Sequence, residues 1–171
     1  LYFAITSATE VIVALSLSYL KTRADLWRLI GFTAAVLTLP WGIAVIAAVT
    51  DAGDILFGDW FGLSSRGQTE ARWAIGLLAL SAPVLLLRGT AFALLMLNRR
   101  TIIITWSTLV RLTSLGLSLV VLPVWLEGAA VGAAALVVCM ASETVFAWLF
   151  ARSYLAAMPA GEKTPLIFGQ Y

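Results

Sequence analysis

The chain has 171 residues, 61% of them hydrophobic and only 12% charged, with 11 basic and 9 acidic side chains for a net charge of +2. Soluble domains average about 25% charged residues, so this composition excludes an ordinary soluble globule and indicates a membrane protein. Histidine is absent and Cys139 is the only cysteine, which removes His-based catalysis, the usual transition-metal ligands and any internal disulfide.

The first apolar segment, 1–20, is about one bilayer crossing long and is broken only by Glu10. Lys21, Arg23 and Arg28 follow as a basic loop, with Asp25 and Trp27 among them. A second segment, 29–50, carries Pro40 near its middle, where a missing amide should kink the helix and free a carbonyl. The connection 51–70 is the longest polar one and holds Asp51, Asp54, Asp59 and Glu70 against Arg66. Its centre (Ile55, Leu56, Phe57, Trp60, Phe61, Leu63) reads as a short helix lying in the outer interface, after which Gly67 and Thr69 prepare the next helix.

The third crossing is expected at 71–97, with Pro83 and Arg88 inside it. An Asn98-Arg99-Arg100 turn leads into the fourth, 101–122, with Arg111 at its centre. Pro123 and Glu127 mark another turn before the fifth, 128–151, which contains Glu143 and opens on Gly128-Ala-Ala-Val-Gly132, a small-residue helix-packing element. Arg152, the Pro159-Ala160-Gly161 turn and Lys163 come next, and Leu166-Ile167-Phe168 suggests a further element and a longer chain or complex. The expected fold is therefore all-α, one polytopic transmembrane bundle over 1–171 with about five crossings.

Loop charge alternates. The basic loops at 21–28, 99–100 and 152–163 fall on one side, and on the other only Arg66 and Arg72 are basic. The positive-inside rule places the first group in the cytoplasm, the N-terminus outside and the C-terminus inside, in a bacterial inner membrane. Trp27, Trp60, Trp73 and Trp125 fall near segment ends as interface anchors, whereas Trp41, Trp106 and Trp148 lie deeper, as packing. Cys139 reads as a small apolar filler. The basic residues form no patch interleaved with aromatics, so nucleic acid is not an expected partner.

Four ionisable residues remain inside crossings: Glu10, Arg88, Arg111 and Glu143. Each lies about nine to eleven residues from its basic loop, so all four share a layer roughly 14–17 Å deep, near the middle of the hydrocarbon. Two readings stand side by side. They can be salt bridges that pin helices together, or they can line a cavity whose arginines receive an anion and whose acids balance or gate them. Position along the helices does not say which acid meets which base. Pro40 and Pro83 would be flexure points, and Gly128 and Gly132 packing points.

The order of segments resembles the N-terminal half of flippases of the multidrug/oligosaccharidyl-lipid/polysaccharide (MOP) exporter superfamily, in particular the bacterial relatives of the progressive ankylosis protein. The carrying residues are Ser7-Ala8-Thr9-Glu10, the outer loop Phe57-Gly58-Asp59-Trp60-Phe61-Gly62-Leu63, Leu87-Arg88-Gly89 with Asn98-Arg99-Arg100, and Thr108-Leu109-Val110-Arg111-Leu112. Glu127-Gly128-Ala129-Ala130, Ser142-Glu143 and the terminal Pro165 to Tyr171 complete the pattern. The resemblance implies two facing bundles of about six helices that move lipid-linked sugars or other anions by alternating access. This chain departs from it in having under half of that number of crossings. A transporter or flippase half acting on an anionic or lipid-linked substrate is thus the leading expectation, and a structural or accessory subunit of a larger membrane complex is the alternative. Membrane lipids and a second helix bundle or larger complex are the expected partners; no enzymatic activity, cofactor or metal is expected.

Overall fold

The structure, a computed structural model, describes residues 2–159, with the side chains of 10, 11 and 13–159. Lys163 and the expected element at 166–168 lie outside the described residues. Among those described, every regular element is helical: α1 (Tyr2–Tyr19), α2 (Arg23–Val49), α3 (Ala52–Asp54), α4 (Ser65–Ala79), α5 (Ser81–Leu97), α6 (Thr101–Val121) and α7 (Ala129–Ala157). Four stretches are long and apolar enough to cross a membrane: Arg23–Val49, Ser65–Leu97, Thr101–Val124 and Ala129–Ala157. They correspond to the second to fifth segments read from the sequence, and α1 occupies the first.

Two helices begin about six residues earlier than expected, because each is capped in what reads as loop. Thr22 and Asp25 form a reciprocal capping box: the Asp25 amide donates to Thr22 Oγ1, and Asp25 Oδ2 accepts from the Thr22 amide at 3.0 Å. That pair satisfies two orphan amides and starts α2 at Arg23. Ser64 caps α4 more simply, its hydroxyl accepting from the Gly67 amide. The helical cost of Gly67 is outweighed by the cap and by the Arg66–Glu70 pair at 3.2 Å.

The third expected crossing is broken at Leu80, between α4 and α5. The cause is Pro83, which has no N–H to offer the Ala79 carbonyl and whose ring crowds it. The indole of Trp41 on α2 donates to that carbonyl at 3.1 Å. Trp41 therefore closes the kink, a role beyond packing. Its neighbour Pro40 sits inside a continuous α2, so only one of the two prolines breaks its helix.

Residues 52–60 are helical, and the turn after α3 widens: Phe61 donates to the Leu56 carbonyl and Leu63 to that of Phe57. Phe57 tucks inward while Ile55, Trp60 and Phe61 are exposed. At the start of this turn Gly53 is buried so closely that any Cβ would run into the Ala47 carbonyl.

Helix α5 runs between α1 and α7, and α7 packs along α4, α5 and α6. Close approach is possible because the contacting faces are small: Gly89, Thr90, Ala91 and Ala93 on α5, and Ala133, Ala134, Ala135 and Ala147 on α7, are all buried. Gly132 is exposed with open space where a side chain would stand, and Gly128 precedes the helix at φ +59°. The small-residue packing of α7 is thus carried by its alanines and not by the Gly128–Gly132 pair. Trp106 also departs from its packing expectation, since it faces outward on α6. Trp27, Trp60, Trp73 and Trp125 are exposed too, and Trp148 packs against the apolar cluster around Leu94.

Replacing Trp41 by Phe keeps the ring and deletes the donor to Ala79. Leaving a carbonyl unpartnered costs about 1–3 kcal/mol, so the variant should melt below the wild type in detergent, whereas Trp106→Phe should not.

Candidate functional site

Arg88, Arg111 and Glu143 come from three helices and meet at one carboxylate oxygen. Arg88 Nε donates to Glu143 Oε2 at 2.6 Å, and Arg111 Nη1 lies 3.5 Å from the same atom. Arg111 is the central residue of α6 and Glu143 the central residue of α7. Arg88 stands nine residues before the end of α5. The cluster is therefore at mid-span, as the loop-to-charge spacing predicts.

Its surroundings are apolar on both sides along the helix axes. Leu26, Phe92, Leu94, Leu95, Ala147 and Ala151 form one buried cluster towards the basic loops. Leu37, Ala82, Leu85, Cys139 and Met140 form the other, so Cys139 is the apolar filler it was read to be. The ion cluster is a polar layer between two dry ones. In such a setting an unpaired carboxylate costs several kcal/mol, and two charge-assisted contacts offset that cost.

Glu143 is completely buried, while the side chains of Arg88 and Arg111 keep 19% and 29% of their exposure. Glu143 Oε1 has no hydrogen-bond partner among the described residues. The guanidinium of Arg88 also lies 4.5 Å above the ring of Phe92, one turn further along α5. That stacking adds a second contact that holds the guanidinium in place beside Glu143. The Arg88–Phe92 spacing of four residues is visible in the sequence, and reading it as a stack could have found this contact.

Glu10 is placed differently from the other three. It lies exposed on α1 and makes no ion pair among the described residues, though it lines the same cleft as Arg88. This cleft, of about 390 Å³, opens between α1 and α5 and is otherwise walled by Val13, Leu17, Phe92 and Met96. The expected layer of two acids and two bases thus resolves into a three-member cluster and one acid across a gap. One carboxylate faces two guanidiniums, leaving one positive charge in excess at mid-span. Pro83 lies beside a smaller groove between α2 and α5, together with Trp41.

Two further arginines have structural work that sequence reasoning missed. Arg23 donates to the carbonyls of Leu155 and Ala156 at 2.9 and 2.6 Å, closing the end of α7. Arg72 donates to the carbonyls of Ala48 and Thr50 and pairs with Asp54 at 2.7 Å, closing the end of α2. Both supply donors where helices leave carbonyls unmatched. At the other end of α7 the Glu70 carboxylate packs against Gly128, so a Cβ there would strike it. A negative group at that position suits the positive end of the helix dipole.

No family model matches this chain, and no curated protein or solved structure matches it either. The functional reading rests on the geometry of the cluster and its cleft.

Removing the shared partner should cost most. Glu143→Gln leaves two cations facing a neutral amide, and breaking a buried pair typically costs about 3–5 kcal/mol. Arg111→Leu leaves the closer Arg88–Glu143 pair neutral and intact, so it should be the mildest of the set. Melting temperatures in detergent should fall in the order Arg111→Leu, Arg88→Leu, Glu143→Gln, with the last lowest.

Proposed function

We propose that this protein is a transporter-like or flippase-like membrane bundle that receives an anionic, lipid-linked group in the α1–α5 cleft. The observation that carries this reading is the charge imbalance at mid-span. Two guanidiniums share one carboxylate, and Arg88 also lines an open cleft. A phosphate or carboxylate entering there would meet Arg88 directly and find the excess positive charge uncompensated. Glu10 on the opposite wall would repel the anion until it is held or protonated, which makes it the gating acid of the pair. Intramembrane charge beside a cavity is a functional signature by default.

In this reading α1, 18 residues and so about 27 Å long, is the first crossing and brings the total to five. The exposed Ile55, Trp60 and Phe61 of the widened turn rest in the outer interface. The basic loops face the cytoplasm, with the N-terminus outside, in a bacterial inner membrane. The kink at Leu80, latched by Trp41, is the flexure point. A second bundle, from the same or another chain, would complete the cavity and give the likeness to the MOP exporters its meaning.

The accessory-subunit reading has its own observation in the same cluster, which ties α5, α6 and α7 together as a staple would. Binding of a short polyprenyl phosphate to the detergent-purified protein separates the two. A receiving cleft should saturate with this probe, lose at least about tenfold in affinity on Arg88→Gln, and gain or hold affinity on Glu10→Gln. A pure staple should bind nothing specifically, and Arg88→Gln should then act only on the melting temperature.

A further inference from the structure

A second groove lies at the basic end of the molecule, between α1 and α2, and shares no lining residue with the α1–α5 cleft. It encloses about 520 Å³ and is walled by Leu15 and Leu20 from one side and by Leu29 and Phe32 from the other. Tyr19, Asp25 and Arg28 form its polar end. The walls are apolar for about one turn of each helix, and Tyr19 and Asp25 flank the turn from one helix to the next.

Arg28 has little to hold it within the protein. Its contact with Asp25 is 3.8 Å long, with both side chains about one-third exposed, which is too loose to fix either group. Asp25 is engaged elsewhere, since its Oδ2 accepts from both the amide and the hydroxyl of Thr22 at 3.0 and 2.8 Å. Lys21, two residues beyond Tyr19, is exposed. Arg23, by contrast, is spent on the end of α7 and is not available. One loosely paired cation, Arg28, thus lines an apolar trough, and the exposed Lys21 stands in the turn that joins its two walls.

Exposed aromatic residues give the level of that mouth. Tyr19 and Trp27 both project outward beside it, and such residues collect where hydrocarbon meets headgroups. The described part of this end carries six basic side chains (Lys21, Arg23, Arg28, Arg99, Arg100 and Arg152) against one acid, Asp25. The opposite end is acidic, with Asp51, Asp54, Asp59, Glu70 and Glu127 against Arg66 and Arg72.

We infer that the α1–α2 groove is a binding site for an anionic phospholipid, whose phosphate pairs with Arg28 and Lys21 and whose acyl chain lies against Leu15, Leu29 and Phe32. Charge complementarity selects the headgroup, and basic pockets between membrane helices suit such lipids. The apolar trough selects a lipid over a free phosphate, which would gain nothing from Leu15 or Phe32. The site is separate from the α1–α5 cleft and asks nothing of transport.

Native mass spectrometry of the purified chain, offered phosphatidylglycerol and phosphatidylcholine in equal amounts, tests the inference. Phosphatidylglycerol should be retained preferentially. Arg28→Gln should weaken its retention about fivefold, and Lys21→Gln by a similar factor, the effect expected of one basic residue at a membrane surface. Leu15→Trp fills the trough without touching any charge and should abolish retention. Arg99→Gln with Arg100→Gln removes two charges from the same end of the molecule and should leave retention unchanged. Equal retention of both lipids, or a loss with Arg99→Gln and Arg100→Gln matching that of Arg28→Gln, would overturn the assignment. So would retention that survives Leu15→Trp. Because the readout is lipid retention in detergent, it is independent of polyprenyl phosphate binding at Arg88.

Discussion

The structure depends on one carboxylate. Glu143 has no exposed surface, and among the described residues its Oε2 is the only ion-pair partner of two arginines at the middle of different helices. In water such a contact would be worth little, because solvent competes for every group. Between two apolar layers the alternatives are worse, since an unpartnered guanidinium or carboxylate would be left in a low-dielectric interior. The helices α5, α6 and α7 are consequently held in one register, with their central residues level. Their small-residue faces can then close around that layer.

The remaining charges follow a different logic. Arg23, at the start of α2, and Arg72, in the middle of α4, each give their fork of donors to the last carbonyls of a neighbouring helix. Planar guanidinium geometry suits this task, because one group can reach two carbonyls of the same terminal turn. The molecule thus uses arginine in two registers, at mid-span against a carboxylate and at the rims against backbone.

Much of the architecture was legible in the sequence because hydrophobic length and charge spacing are local properties. The membrane-length helices, the Asn98–Arg100 turn and the mid-span level of Arg88, Arg111 and Glu143 all follow from counting along the chain. Three things did not follow. Helix starts at Arg23 and Ser65 were hidden because caps at Thr22 and Ser64 stand in polar stretches that also look like loop. The Trp41–Ala79 bond joins residues 38 apart, and no periodicity connects an indole to a carbonyl freed by Pro83. The separation of Glu10 from the cluster depends on how α1 is rotated against α5, which a uniformly apolar helix does not encode. Pairing among four charges is a three-dimensional property, and the sequence left it open for that reason.

The order of residues along the chain also bears on how the protein is made. Arg88 and Arg111 sit on adjacent helices joined by a tight turn, and Glu143 follows Arg111 by 32 residues. At about 5–20 residues per second, the ribosome adds Arg111 about two to six seconds before the carboxylate that neutralises the pair has been synthesised. Throughout that interval the hairpin carries two cations with no internal counter-charge, and releasing it into lipid would expose both. The nascent pair has reason to linger at the insertion machinery until α7 emerges, so that three helices enter the bilayer as a single, electrically settled unit.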